Sequence, residues 1–206
     1  MTHDIFQAAT RTHAPRGCYT AWLKPLLDFL TALVLLLALA PLLLLLAMLI
    51  RLDSPGPVLF RQDRVGRLGR LFRIVKFRTM RTGVTGPLLT QERDPRITRL
   101  GHFLRRSSLD ELPQLFNILR GEMSFIGPRP ELPQIVATEY TAEQKGVLAV
   151  RPGLSGWAQL HGRDDLAIPQ KLAYDLEYVA NLSWQLDLKI LLLTPGLLLS
   201  GRGIKH

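Results

Sequence analysis

The sequence predicts a mainly helical α+β chain: a membrane helix near the N-terminus, a basic β-hairpin, and a compact helical domain with interfacial amphipathic helices. Three observations predict it. Phe29 to Ile50 is an uncharged run of 22 residues, FLTALVLLLALAPLLLLLAMLI. VLFRQDRVGRLGRLFRIVKFRTM alternates apolar and basic residues about Gly66 and Gly69. Beyond Thr98 the apolar positions recur at helical spacing between Gly and Pro punctuation.

Composition points the same way. The 206 residues suit one compact domain plus an appendage, and 47% apolar content with a mean hydropathy of +0.13 is high for a soluble chain. Cys18 stands alone, so a disulfide framework is excluded and a reducing compartment is allowed. The net charge of +9 is unevenly placed: residues 51–106 hold 14 basic and 4 acidic groups, residues 107–206 hold 9 and 11. The basic block seeks anions, whether nucleic acid, acidic headgroups or nucleotide phosphates.

At about 1.5 Å per residue, the uncharged run is long enough for a hydrocarbon core of about 30 Å. No small-x-small cleavage site follows it, so it is read as a retained membrane helix over 24–52 after a tail of residues 1–23. Pro41 interrupts it and predicts a kink or break. A kinked span and a helix that dips in and returns both remain open, and either leaves residues 53–206 in the cytoplasm by the positive-inside rule. Asp28 sits at the rim as a headgroup-level anchor. DSPGP, residues 53–57, is a turn into the domain, and residues 82–96 form a loop after the hairpin.

A short helix over Thr98–Arg106 leads to SSLDELPQLFNILRG, residues 107–121. Read locally, Ser108 is an N-cap, Glu111 completes a capping box at N3, Asp110 favours the helix dipole, and Gly121 stops the helix. In MSFIGPRPELP, Pro128 and Pro130 hold Arg129 in a rigid extended turn suited to a guanidinium that meets phosphate or a planar base. Pro133–Gly146 and Leu172–Val179 are helical, and LDLKILLLTPGLLL packs as core or lies in the bilayer interface. His102 and His161 lack a second His or Cys at metal spacing. Trp157 and Trp184 read as packing or interfacial residues, Asp175 and Glu177 as the polar face of a helix, and Asp187 as a cap or ion-pair partner.

Together KFRTM, RITRLGHFLRRSSLDELPQLFNILRGEMSFIGPRP and VRPGLSGWAQLHGRDD, in this order behind a membrane segment, closely resemble the bacterial sugar transferases: polyprenyl-phosphate phosphoglycosyl transferases of the monotopic type, in their small single-domain form. The resemblance covers about Lys24 to Thr194. It implies that a UDP-sugar gives its sugar phosphate to an enzyme carboxylate with loss of UMP, and that polyprenyl phosphate then takes it, opening the assembly of a lipid-linked glycan. By match to the motif, Asp110 is the nucleophile and a ligand of magnesium, and Glu111 is its partner. Arg105 holds phosphate, Pro128, Arg129 and Pro130 border the nucleotide, and Lys76 and Arg78 belong to the phosphate-binding core. The membrane helix is implied to be re-entrant and broken at the proline. This chain has Ala40-Pro41 where the family often has Ser-Pro, and Ile168-Pro169 where many relatives carry a tryptophan.

The chemistry agrees with these roles. A carboxylate attacking a diphosphate approaches like charge, so the site needs a divalent cation and fixed positive groups, which the basic block supplies. An acyl phosphate divides one hard displacement into two easier ones. Expected partners are a UDP-sugar, polyprenyl phosphate and an anionic bacterial cytoplasmic membrane, with a homodimer allowed. Nucleic acid is not expected: the pI of 10.3 suggests it, but aromatic interleaving is thin and no recognised binding motif is present. A glycosyltransferase that moves the sugar alone and releases UDP is the enzymatic rival.

Overall fold

An uninterrupted leucine-rich run satisfies its own backbone hydrogen bonds, and α1 (Lys24–Asp53) is a 30-residue helix, about 45 Å long at 1.5 Å per residue. The computed structural model describes residues 17–84, 86, 94–162 and 165–200. A π-helical turn, Tyr19–Leu23, leads into α1, Pro25 favours its first turn, and extended Ser54 ends it. The chain stays helical through Pro41, so the ring does not end the helix. Among the described residues this is one helix long and apolar enough to cross a membrane.

One face of α1 is docked along its length. Ala32, Leu35 and Leu36 pack on Phe72, Ile74, Leu115, Ile118 and Met123. Beyond the proline, Leu42, Leu43, Leu46, Ala47 and Ile50 pack on Phe77, Leu104, Leu109 and Leu112. These positions follow the three- and four-residue spacing of a helix stripe. Val34, Leu37, Leu44 and Met48 point away and stay exposed.

Both ends are tied to the same body. Lys24 Nζ lies 2.6 Å from Asp187 Oδ2, which also accepts from the Tyr19 hydroxyl at 2.6 Å. The ion-pair role read for Asp187 is therefore seen. Asp28, read as a rim anchor, is held by protein: it is 6% exposed, and its Oδ1 accepts from the Phe125 amide at 3.2 Å. At the other end the Arg78 guanidinium donates to the carbonyls of Ile50, Ser54 and Pro55. Cation donors at a helix C-terminus satisfy orphan carbonyls and oppose the negative end of the dipole.

Strands β1 (Leu59–Val65) and β2 (Leu71–Phe77) pair antiparallel, Leu59 opposite Phe77 and Val65 opposite Leu71. A 3₁₀ turn joins them, with Leu68 and Gly69 at φ 58° and 76°. Val75 is buried as well as Ile74, because the other edge of β2 is covered: fully buried Asn117 accepts from Val75 N–H at 3.0 Å and donates to Arg73 O at 2.7 Å. One side chain thus continues the ladder from a helix.

Helix α2 (Arg99–Arg106) starts at Thr98, whose hydroxyl accepts from Gly101 N–H at 2.9 Å. The next motif departs from the capping reading. Ser108 is left-handed, at φ 55°, and makes no side-chain cap; Leu109–Gln114 is a 3₁₀ turn, and only Leu115–Leu119 is α-helix, α3. Pro113 has no amide to give a first α-turn, and the left-handed Ser108 reverses the chain after α2. Gly121, at φ 71°, is the stop expected.

The second half crosses over from β3 (Ser124–Ile126) to the parallel β4 (Gly153–Ser155) by way of α4 (Pro133–Glu139) and a 3₁₀ helix, Gln144–Ala149. The predicted 133–146 helix is therefore two short pieces. Then follow α5 (Trp157–Leu160), α6 (Ile168–Ala180) and α7 (Trp184–Ser200). Ile190 of α7 is fully buried with Tyr178 and Val179, while Trp184, Leu191 and Leu192 are exposed, so α7 joins the core and presents an apolar face. Of the loop read over 82–96, residues 85 and 87–93 lie outside the described residues, as do residues 1–16 of the N-terminal tail.

Candidate active site

A cavity of about 690 Å³ opens between the β1–β2 pair, the segment after β2, the end of α2, the Ser108–Glu111 turn and α6. Lys76, Arg78, Arg105, Asp110, Glu111 and Arg129 all line it. Pro128 and Pro130 do not; with Arg129 they border a narrow cleft against Val65 and Pro152. Their part is to hold the backbone. The Pro128 carbonyl accepts from Gly153 N–H at 2.8 Å, the Pro130 carbonyl accepts from Arg64 at 3.2 Å, and the Glu131 carbonyl accepts from Val65 N–H at 3.0 Å. Arg129 projects from a turn gripped on both sides.

The two acids of the turn sit in different surroundings. Glu111, outside any capping box, takes Lys76 Nζ on Oε1 at 2.6 Å, with Arg129 at 3.6 Å from the same oxygen. Both members of the Lys76 pair are 18% exposed, where fixed charge is less screened than at a surface. No hydrogen bond among the described residues holds the Asp110 carboxylate. Burial first, and then the Glu111 charge, push it up to about 6; Lys76, Arg105 and Arg129 act in the opposite sense. Asp110 thus lies among the charges of Lys76, Arg105 and Arg129, beside a Glu111 that is itself ion-paired.

The remaining cations divide. Arg105 is steadied by its Nε–H to Thr79 Oγ1, at 2.9 Å, at the edge of the cavity. Arg78 lines the cavity but is 5% exposed, and its terminal nitrogens donate to the Ile50 carbonyl near the end of α1 and to the Ser54 and Pro55 carbonyls just past it. It thereby holds the end of α1 beside Lys76.

Asp175 was read as the polar face of a helix and is instead 6% exposed in the wall of this cavity. Burial, followed by Glu131, pushes its carboxyl up to about 7, against Lys171, the Ala158 amide and Arg129. The signal was there: Asp175 stands three residues after Leu172 and four before Val179, on the buried stripe of α6. Tyr140 and Lys171, which belong to no motif, also line the cavity, as does Gln159, which lies within VRPGLSGWAQLHGRDD but was given no role of its own.

Comparison with known proteins places the chain in a family. A family model described as bacterial sugar transferase matches residues 19–201. The chain is 47% identical over 190 residues to the undecaprenyl-phosphate glucose phosphotransferase of Komagataeibacter xylinus, covering 83% of this chain and 35% of that protein. It is 45% identical to the exopolysaccharide production protein PSS of Rhizobium leguminosarum bv. phaseoli, over 82% of this chain and 91% of that one. It is 43% identical to the UDP-N-acetylgalactosamine-undecaprenyl-phosphate N-acetylgalactosaminephosphotransferase of Aeromonas hydrophila, over 90% of this chain and 45% of that protein. The chain thus spans about a third to a half of the two phosphotransferases and nearly all of the shorter relative. With the match running from the π-helical turn before α1 to the end of α7, the chain belongs to the bacterial sugar transferase family.

Proposed function

We propose that the chain transfers a sugar 1-phosphate from a UDP-sugar to a polyprenyl phosphate and releases UMP. The observation that carries this reading is the convergence of Asp110 and Glu111 with Lys76, Arg105 and Arg129 on one cavity. An Asp110 oxygen attacks the sugar-bearing phosphorus. The bond from that phosphorus to the bridging oxygen breaks, and UMP leaves with the bridging oxygen. A phosphate oxygen of the polyprenyl acceptor then attacks the same phosphorus and the Asp110 carboxylate departs, completing a polyprenyl-diphospho-sugar. Lys76, Arg105 and Arg129, gathered around Asp110, put positive charge where the substrate phosphates would sit.

Magnesium belongs to this reading, with Asp110 as its protein ligand. It supplies charge neutralisation on the phosphate oxygens. Among the described residues no group of three His, Cys, Asp or Glu stands together. The Asp110 carboxylate on the cavity wall would fit a cation held by one carboxylate together with substrate phosphates and water, as magnesium commonly is.

The same reading divides the chain into a membrane part, residues 24–52, and a catalytic part, residues 53–206, at the cytoplasmic membrane of a bacterium. Re-entrant, monotopic insertion is supported by α1 being pinned at Lys24 and at Ile50–Pro55 to one body and packed on it along one face. A helix held in this way cannot place its ends on opposite sides of a bilayer without its domain.

The test is nucleotide release from a panel of UDP-sugars by detergent-solubilised protein with magnesium and polyprenyl phosphate. UMP, lost in Asp110→Asn, is expected. UDP would identify plain glycosyl transfer, and no nucleotide with any sugar would reject the reading.

A further inference from the structure

The cavity has two ends of different character. Lys76, Arg105 and Arg129 surround Asp110 and Glu111 at one end. At the other, α6 brings Asp175 and Lys171 beside Gln159 and Tyr140. Arg129 is a charge neighbour of both Asp110 and Asp175, so it stands between the ends.

Asp175 is unusual in this wall. It is 6% exposed, the Ala158 amide supports its carboxylate, and Oδ1 has no hydrogen-bond partner among the described residues. An enclosed carboxylate oxygen without a donor is unfavourable, and one kept beside a large polar cavity points to a donor that a ligand brings. That donor is not phosphate, which a carboxylate repels. Apart from the uracil imide, the neutral donors of a nucleotide sugar are hydroxyls, on the hexose and on the ribose, each one step beyond the diphosphate. Ile168, on the same helix, adds an apolar wall of the kind that C–H faces of sugars contact.

We propose that Asp175 contacts the substrate and accepts hydrogen bonds from neutral hydroxyl groups of the nucleotide sugar, holding the part of the donor that lies past Arg129 from Asp110. The inference rests on the phosphosugar transfer above. It makes Asp175 a specificity-determining residue: a site built to bond a hydroxyl discriminates strongly against a substrate that lacks it or points it elsewhere.

The experiment follows UMP release by the full chain in detergent with three donors: the UDP-sugar turned over fastest, its 4-epimer and its 2-acetamido counterpart. Wild type, Asp175→Asn, Asp175→Ser and the exposed control Glu177→Gln are compared, each with inhibition by UMP. If the hexose is held, both Asp175 variants lose about 10- to 100-fold in kcat/KM for the best donor, and the ratios between donors shrink toward one, with UMP inhibition unchanged. If the ribose is held, UMP inhibition weakens and every donor loses equally. Either outcome supports the contact and names its source. Donor ratios and UMP inhibition do not depend on the folded fraction, so a destabilised variant still reports. Unchanged ratios with unchanged UMP inhibition, in active variants, overturn the contact alone. A wild type that releases no UMP from any donor overturns the transfer reading and the contact with it.

Discussion

Arg78 and Arg129 line the same cavity and lead opposite lives. Arg78 is 5% exposed and bound to the carbonyls that end α1, whereas the Arg129 side chain is 37% exposed, on a turn gripped by its own backbone, with a terminal nitrogen 3.6 Å from Glu111. The first guanidinium is part of the backbone's hydrogen-bond accounting; the second lines the cavity beside Glu111. The contrast teaches that lining a cavity does not separate structure from chemistry, and that burial together with the partners of each donor does.

The reference for that contrast is Asp110→Asn. It is expected to lower UMP release by more than about 10³-fold, as loss of a covalent nucleophile does, with an unchanged melting curve. Arg78→Ala comes next. Orphaning buried carbonyls at the end of α1 is expected to cost about 2–4 kcal/mol in denaturant melts, and Arg78→Lys is expected to restore only part, since one ammonium cannot span three carbonyls as a fork does. If Arg78→Ala melts like wild type but is inactive, the division between the two arginines is broken. Arg129→Ala is expected to reduce kcat/KM by about 10- to 100-fold, with stability within about 0.5 kcal/mol of wild type. A large loss of stability there would break the division from the other side.

The smallest effect concerns Asp175. Its folded pKa of about 7 lies above the unfolded value of about 3.9, so between these values the folded state holds a proton that the unfolded state releases. Its contribution to stability is therefore full below pH 4 and falls as pH rises to 7. Burial raises the pKa most, followed by the Glu131 charge, while Lys171, the Ala158 amide and Arg129 oppose the rise. Melting temperatures at pH 5, 6, 7 and 8 are expected to decline less in Asp175→Asn than in wild type, groups common to both cancelling in the comparison.

Much of the candidate site is legible in the sequence. A proline on each side restricts Arg129 from local sterics alone, and Asp110, Glu111, Lys76 and Arg105 are carried by motifs whose residue types suit phosphate chemistry. Ser108 was misread because a capping box is a local pattern. Pro113 and the reversal after α2 replaced it with a 3₁₀ turn, and that frees Glu111 for Lys76, 35 positions away. Asn117 offered no cue at all, since its partners are open backbone groups of β2 more than 40 positions distant.

By itself the sequence determined what depends on neighbours along the chain: a helix from an uncharged leucine run, a turn about Gly66 and Gly69, a rigid arginine between prolines, and a helix stop at Gly121. Only the tertiary structure decided what depends on groups far apart in the chain. Packing, not lipid alone, covers one face of α1. Asp28 is a buried tether, Arg78 closes a helix, and Asp175 borders the cavity. The physical reason is that propensity and sterics act over a few residues, whereas burial and charge pairing are set by whatever the fold brings within a few ångströms.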